Sequence, residues 1–267
     1  MFSKYSRSKI LKKTCVYVIF KGGFAIIDIR YIESWFFMIN NEERISIINK
    51  HLENGVEIPC FDGVIIEETV VLEKGVIIMP GTVLLGDTEI KENSVIGPNS
   101  YIMNSKVGSG TTLNNTQCYD SQVGNNVSAG PFVHIRPNCN IKDNVHIGNF
   151  VEVKNSTVDD GSKLPHLLYV GDSDVGKDVN FGCGCVTVNY DGRNKSRTIV
   201  KDGAFIGCNT NLVAPVTVGE NAFTAAGSTI TEDVPDNALS VARAKQTNKE
   251  NWVNIKKPYK RQHQELK

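Results

Sequence analysis

The sequence carries no net charge: 29 Lys and Arg balance 29 Asp and Glu, and the formal net charge is +0. That removes the whole-chain electrostatic footprint of a nucleic-acid binder. Basic clusters stand only near the ends, at Lys4, Arg7, Lys9, Lys12 and Lys13, and again at Lys256, Lys257, Lys260 and Arg261. They read as solvated tails. The seven cysteines include no CxxC pair and no Cys/His ligand spacing, so no zinc-module pattern is present. Cys183-Gly184-Cys185 offers two ligands at most, and a repeat unit accounts for both residues. An odd cysteine count without a persuasive signal peptide reads as reduced thiols in a cytoplasm. A long apolar run is also missing. Residues 16–29 are apolar but are broken by Lys21, Gly22, Gly23 and Asp28, which is too short and interrupted for a membrane span. Walker A, GxGxxG and GxSxG motifs do not occur, so neither a phosphate-cradling loop nor a serine nucleophile elbow is on offer.

What is there is a clock. From residue 66 an aliphatic residue returns every six positions: Ile66, Leu72, Ile78, Leu84, Ile90, Ile96 and Ile102. Further blocks run Val123, Ala129, Ile135, Ile141, Ile147 and Val153, and then Val200, Ile206, Leu212, Val218, Thr224 and Ile230. The second position is often glycine, as at Gly97, Gly148, Gly182 and Gly207, and the fifth is small or β-branched, as at Ser94, Ser100, Val145 and Val179. Neither a helix nor a flat strand has a period of six. One short strand plus one corner does, with the aliphatic side chain turned inward and glycine relieving the corner backbone. Three such units close a triangular coil, and coils stack at roughly 4.8 Å by parallel pairing. The expectation is an all-β solenoid over 66–235, preceded by an unassigned segment 1–38 and a helical linker 39–65, and followed by a polar, lysine-rich tail 236–267. The helix lies within 39–58, capped by Asn40 or Asn41 and ended by Gly55.

The clock also skips. One residue is missing at 102→107, 153→158 and 170→175, and larger irregularities fall at 113→123 and 187→200. The last holds Asn189-Tyr190-Asp191-Gly192-Arg193-Asn194-Lys195, a polar loop with an Asp-Gly turn. Loops ejected from a rigid scaffold are where function concentrates.

The register predicts neighbours. Arg136 follows the anchor Ile135 and Lys154 follows Val153, three hexads on, so the two cations share a face one coil apart. Like charges that close either hold an anion such as a phosphate between them or fan apart into water. His166, in LPHLLYVGD, falls about one coil beyond Lys154. A lone histidine is more often structural than catalytic, but imidazole is the side chain that ordinarily titrates near neutrality. His134 and His146 stand two hexads apart, hence on different faces. That argues against the three-histidine metal site of solenoid hydrolases, and no metal is called for.

The segments GPFVHIRP, GNFVEVKN, LPHLLYVGDSDVGKDVNFGCG, VNYDGRNK, GAFIGCNTNLVAPVTVG and AAGSTITEDVP occur together and in order. From about residue 45 to 257 the chain resembles the acetyltransferase half of the bacterial bifunctional N-acetylglucosamine-1-phosphate uridyltransferase/glucosamine-1-phosphate N-acetyltransferase. The resemblance implies a left-handed parallel β-helix, a homotrimer with sites shared between subunits, acetyl-CoA as cosubstrate, and an amino-sugar phosphate as acceptor. It makes His166 the general base. Arg136, Lys154, Tyr169 and Asn180 fall at positions that hold the sugar phosphate. Cys183, Cys208, Ala226 and Arg243 fall at acetyl-CoA contacts, and the loop residues Asn189, Tyr190 and Lys195 are grouped with them. Many family members carry alanine at Cys183 and serine at Cys208, and a small residue where Pro165 precedes the base. A backbone N–H within Gly182–Gly184 is the candidate oxyanion donor.

Two other readings stay open: an acyltransferase for a different amino sugar or nucleotide sugar, and a non-catalytic solenoid scaffold. Residues 1–38 contain no LxAGxGTRM-like loop, so the expectation is acetyl transfer without a uridyltransferase domain, and no insertion into a membrane.

Overall fold

The computed structural model describes residues 16–20, 23–27 and 41–256. The chain divides into two compact units, residues 1–50 and 51–267. The first contains an antiparallel hairpin of Val16–Phe20 and Gly23–Ile27, with Val16 opposite Ile27. This hairpin occupies the apolar stretch whose period the sequence did not reveal. The basic clusters and the rest of residues 1–40 lie outside the described residues, except Lys256.

A helix runs over Asn41–Glu53, with Glu42 and Glu43 in its first turn, where the helix dipole favours acids. Gly55 stops it in a left-handed conformation, φ 84°, as expected for a glycine just past a helix end. No helix among the described residues is long and apolar enough to cross a membrane.

The second unit is a left-handed parallel β-helix of about ten coils. Its strands form a nine-stranded sheet and an eighteen-stranded one that bends around a corner. The register is the six-residue clock made spatial. Ile66, Leu84 and Ile102 stack on a first face, Leu72, Ile90 and Val107 on a second, and Ile78, Ile96 and Leu113 on a third. All but Leu72 are buried to 1% exposure or less, and each aliphatic side chain so buried contributes about 1.5–3 kcal/mol. At position five, Ser94 Oγ donates to Gly108 O at 2.7 Å and accepts the Thr111 N–H at 3.1 Å. Ser162 does the same with Gly176 and Val179. A small hydroxyl thus fits the inner corner and pairs the backbone groups of the next coil there.

Two details of the repeat differ from the sequence reading. The 113→123 gap is two single-residue skips, because Cys118 is an anchor at 0% exposure, stacked between Ile102 and Ile135. A buried cysteine behaves as a small hydrophobe, and burial pushes its thiol up to about 12. Position-two glycine, moreover, mostly does not relieve a left-handed corner. That strain sits at position four, where Asn93, Asn126 and Asn144 take φ of 53–59°. What position two needs is room for the next coil: a Cβ on Gly148 would stand 1.8 Å from Pro165 O.

The loop at 188–199 is ejected but tied down. Asp191 Oδ1 accepts from the N–H groups of Arg193 and Asn194 at 2.7 and 2.6 Å, and Tyr190 and Lys195 form a bridge across it. Arg197 Nε binds Asp174 Oδ2 at 2.8 Å and fixes the returning limb. Coiling continues beyond the expected end at 235, since Leu239–Ser240 pairs with Phe223–Thr224. A short exposed helix, Trp252–Lys256, follows.

Candidate active site

Two nine-residue strands, His146–Lys154 and Lys163–Gly171, run without interruption around the corner between the third and first faces. Pairing continues through that corner, so Asn149 stands opposite His166. His166 Nδ1 lies 2.9 Å from Asn149 Oδ1. An amide oxygen can only accept, so it selects the tautomer protonated at Nδ1 and leaves Nε2 with a free lone pair. The ring is exposed and held from one side.

On the first face, beside this corner, the cations gather. Ile135 pairs with Val153, so Arg136 and Lys154 are one coil apart, as their spacing predicts. Each has an acid the sequence reading did not include. Arg136 Nη1 binds Glu152 Oε1 at 2.8 Å, and Lys154 Nζ lies 3.5 Å from Asp172 Oδ2. Asp172 is nearly buried and also accepts from the side chains of Asn155 and Asn189. Burial pushes its carboxyl up, but those hydrogen bonds and the Lys154 charge outweigh it and hold the group below its ordinary range. The first Asp of LYVGDSD gave no signal of this role, because its partners come from residues 17 or more positions away.

Lys195 joins from the loop. Its ammonium is held below the usual lysine range by the nearby Lys154 ammonium, and further by burial and Arg136, with the Asp172 carboxylate acting against them. Three cations therefore share one small region with the two carboxylates Glu152 and Asp172, one positive charge in excess, which suits a further anion. Within one chain, Asn189 and Lys195 stand beside Tyr169, Asp172 and Lys154. Tyr190 is exposed on the loop. Tyr169 leans its phenol over Gly171, where a Cβ would be 2.3 Å from the hydroxyl. The same hydroxyl is 3.5 Å from Asn189 Nδ2. Asn180 lies on the third face, paired with Lys163 and Phe205, across the His166 corner from the cations.

Along the corner itself the third position of each hexad reads Asn149, His166, Cys183, Cys208 and Ala226 on successive coils. Three coil-to-coil bonds hold this ridge: Gly184 N–H to Leu167 O, Asn209 N–H to Cys183 O, and Gly227 N–H to Cys208 O, at 3.0, 2.8 and 2.8 Å. Arg243 closes its far end, with Cδ 3.9 Å from a Cβ built on Gly227. Gly182 and Gly184 spend their N–H groups on Ile206 O and Leu167 O, which leaves Cys183 as the outward-facing donor of that segment. Beside the ridge, Phe132, Phe150 and Leu167 are 55–60% exposed and carry φ of 48–62°. Such conformations are costly for large side chains. The two rings stack at 5.3 Å. Among the described residues no group of three or more His, Cys, Asp or Glu could hold a metal ion.

The bacterial transferase hexapeptide (six repeats) family matches residues 69–104 and 120–155. With the coils described above, the chain is a hexapeptide-repeat solenoid. More particularly, it is 56% identical over 210 residues to the bifunctional protein GlmU of Geobacillus sp. (strain WCH70), across 79% of this chain and 46% of that protein. The bifunctional protein GlmU of Caldanaerobacter subterraneus is 54% identical over 218 residues, across 80% of this chain and 48% of its own length. That of Clostridioides difficile is 48% identical over 213 residues, across 80% and 46%. The solenoid is thus similar to part of these proteins, and the chain spans about half the length of the curated relatives it matches. Among solved structures, the Arabidopsis UDP-N-acetylglucosamine acyltransferase aligns at 16% identity and a TM-score of 0.41, over 70% of this chain and 68% of that one.

Proposed function

We propose that this chain transfers the acetyl group of acetyl-CoA to the amine of glucosamine-1-phosphate, giving N-acetylglucosamine-1-phosphate for UDP-N-acetylglucosamine synthesis in the cytoplasm. The observation that carries the reading is the position of His166: Asn149 holds its Nδ1, and its strand Lys163–Gly171 pairs with the strand that ends in Lys154. Arg136, Lys154 and Lys195 suit a sugar phosphate. Tyr169 and Asn189 would line the sugar, and Asn180 would meet it from across the corner. The ridge His166, Cys183, Cys208, Ala226 and on to Arg243 spans four coil steps, about 19 Å. That suits an extended pantetheine arm, with Arg243 at the phosphate end.

In this reading the sugar reacts as its free amine, and His166 Nε2 takes one of its protons as nitrogen attacks the thioester carbonyl. The carbonyl oxygen gains charge and accepts from the Cys183 N–H. Collapse expels the CoA thiolate, which takes the proton back from His166. No step calls for a metal. The exposed Phe132–Phe150–Leu167 ladder beside the base supports a homotrimer with sites at subunit boundaries, since an apolar ridge of that kind marks an interface. The loop residue Tyr190 would then face a neighbouring chain's acetyl-CoA.

A nucleotide-linked amino sugar is the second reading. It is favoured by the ring ladder Tyr101–Tyr119–His134, spaced 5.6 Å per step on the first face beside Arg136. The deciding experiment measures thiol release from acetyl-CoA with glucosamine-1-phosphate, glucosamine and a UDP-linked amino sugar as acceptors. Preference for glucosamine-1-phosphate supports the proposal; preference for the nucleotide sugar transfers it to the second reading; no release with any of them overturns acetyl transfer.

A further inference from the structure

The Cys183-Gly184-Cys185 segment conceals a different pair. Cys185 points inward, donates to Gly207 O at 3.0 Å and has its thiol pushed up to about 11 by burial. Cys183 points outward. The pairing of Phe181 with Ile206 sets Cys183 opposite Cys208 on the next coil, and Asn209 N–H binds Cys183 O at 2.8 Å. Both cysteines are free and exposed, while Cys118, Cys139 and Cys185 are buried. Coils stand about 4.8 Å apart, inside the Cα separation of roughly 4.4–6.8 Å that a disulfide accepts. No β-carbon intervenes: Cys208 Sγ lies 2.8 Å from where a Cβ on Gly182 would be. The sulfur therefore leans back toward the Cys183 coil.

We propose that Cys183 and Cys208 are a reversible dithiol–disulfide site that reacts with small disulfides, coenzyme A disulfide foremost, and that closing it blocks the ridge. The preference for coenzyme A disulfide and the block rest on the reading of that ridge as the acetyl-CoA site; the dithiol chemistry does not. One cysteine thiolate attacks the small disulfide, forms a mixed disulfide and expels one thiol. The second cysteine thiolate attacks the protein-bound sulfur, closes the Cys183–Cys208 bond and expels the second thiol. Two electrons and two protons pass from the protein to the small disulfide, which leaves as two thiols. A sulfur–sulfur bond across two rungs then occupies the place where the thioester arm would lie, next to His166.

The test incubates the full-length protein with coenzyme A disulfide or oxidised glutathione, followed by peptide mass analysis under non-reducing conditions. The expected result is a cross-linked Cys183/Cys208 peptide pair lighter by two hydrogens, formed faster with coenzyme A disulfide, with Cys185 left as a thiol. In Cys183→Ser the mixed disulfide should persist on Cys208. Acetyl transfer by the wild type should fall on oxidation and return with dithiothreitol. Absence of the cross-link, or a persistent adduct in the wild type, overturns the pair. A cross-link formed equally fast with both oxidants and leaving acetyl transfer intact overturns the link to the acetyl-CoA ridge while the dithiol site stands. If the reduced protein transfers no acetyl group, it is the functional reading that fails, and the cross-link still reports on the pair.

Discussion

Asn149 Oδ1 holds His166 Nδ1 at 2.9 Å, and the two residues are register partners on adjacent coils. The amide sets the tautomer, so Asn149 governs whether Nε2 can act as a base. Replacing His166 with Ala should lower kcat by ~10²–10⁴-fold with little effect on acetyl-CoA binding. Asn149→Ala should lower kcat by a smaller factor, about 10-fold, and shift its pH profile. Thiol-release kinetics between pH 5.5 and 9 check both; a His166→Ala protein with most of its turnover removes the base assignment.

The cation cluster makes a second prediction. Arg136→Ala and Lys154→Ala should each raise KM for glucosamine-1-phosphate much more than for glucosamine, because only the phosphate needs the clamp. Equal losses on the two acceptors would show the pair to be structural.

Asp172 is tested by acid. Its carboxyl titrates lower in the folded chain than in the unfolded one. The stabilisation it brings is therefore complete above the ordinary carboxylate range and is lost as pH falls through the folded value. Asp172→Asn should cost about 1–3 kcal/mol at neutral pH and much less at strongly acidic pH, read by urea unfolding at each pH. A pH-independent difference would mean the Asn155, Asn189 and Lys154 contacts do not depend on the charge.

Assembly is the fourth. Phe132→Asp combined with Phe150→Asp should convert a trimer to smaller species in sedimentation, without loss of the β-rich circular dichroism. Mixing His166→Ala with Tyr190→Ala protein should give more activity than either alone if one site draws on two chains, since Tyr190 would serve a neighbouring chain's His166. A monodisperse, fully active monomer of the wild type rules out the shared site.

The sequence alone determined the coil. A six-residue period needs no partner to be legible, because each aliphatic anchor is set by its own hexad and each hexad closes one side of a triangle. Ile66 to Ile102, the Arg136/Lys154 neighbours and the ejected loop all follow from counting. Cys118 escaped because the anchor there is not aliphatic. The motif resemblance carried His166, Tyr169 and Asn180, which counting would not have singled out. Only the tertiary structure decided what holds these groups. Asn149, Glu152 and Asp172 act across coils, from residues 16–18 positions away in the chain, and nothing local distinguishes them from other polar residues. The same holds for position four, where Phe132, Phe150 and Leu167 occupy left-handed corners that neighbours usually give to asparagine or glycine. It holds as well for Cys183 and Cys208. Stacking turns distance along the chain into adjacency in space, and that step depends on how many residues each coil contains.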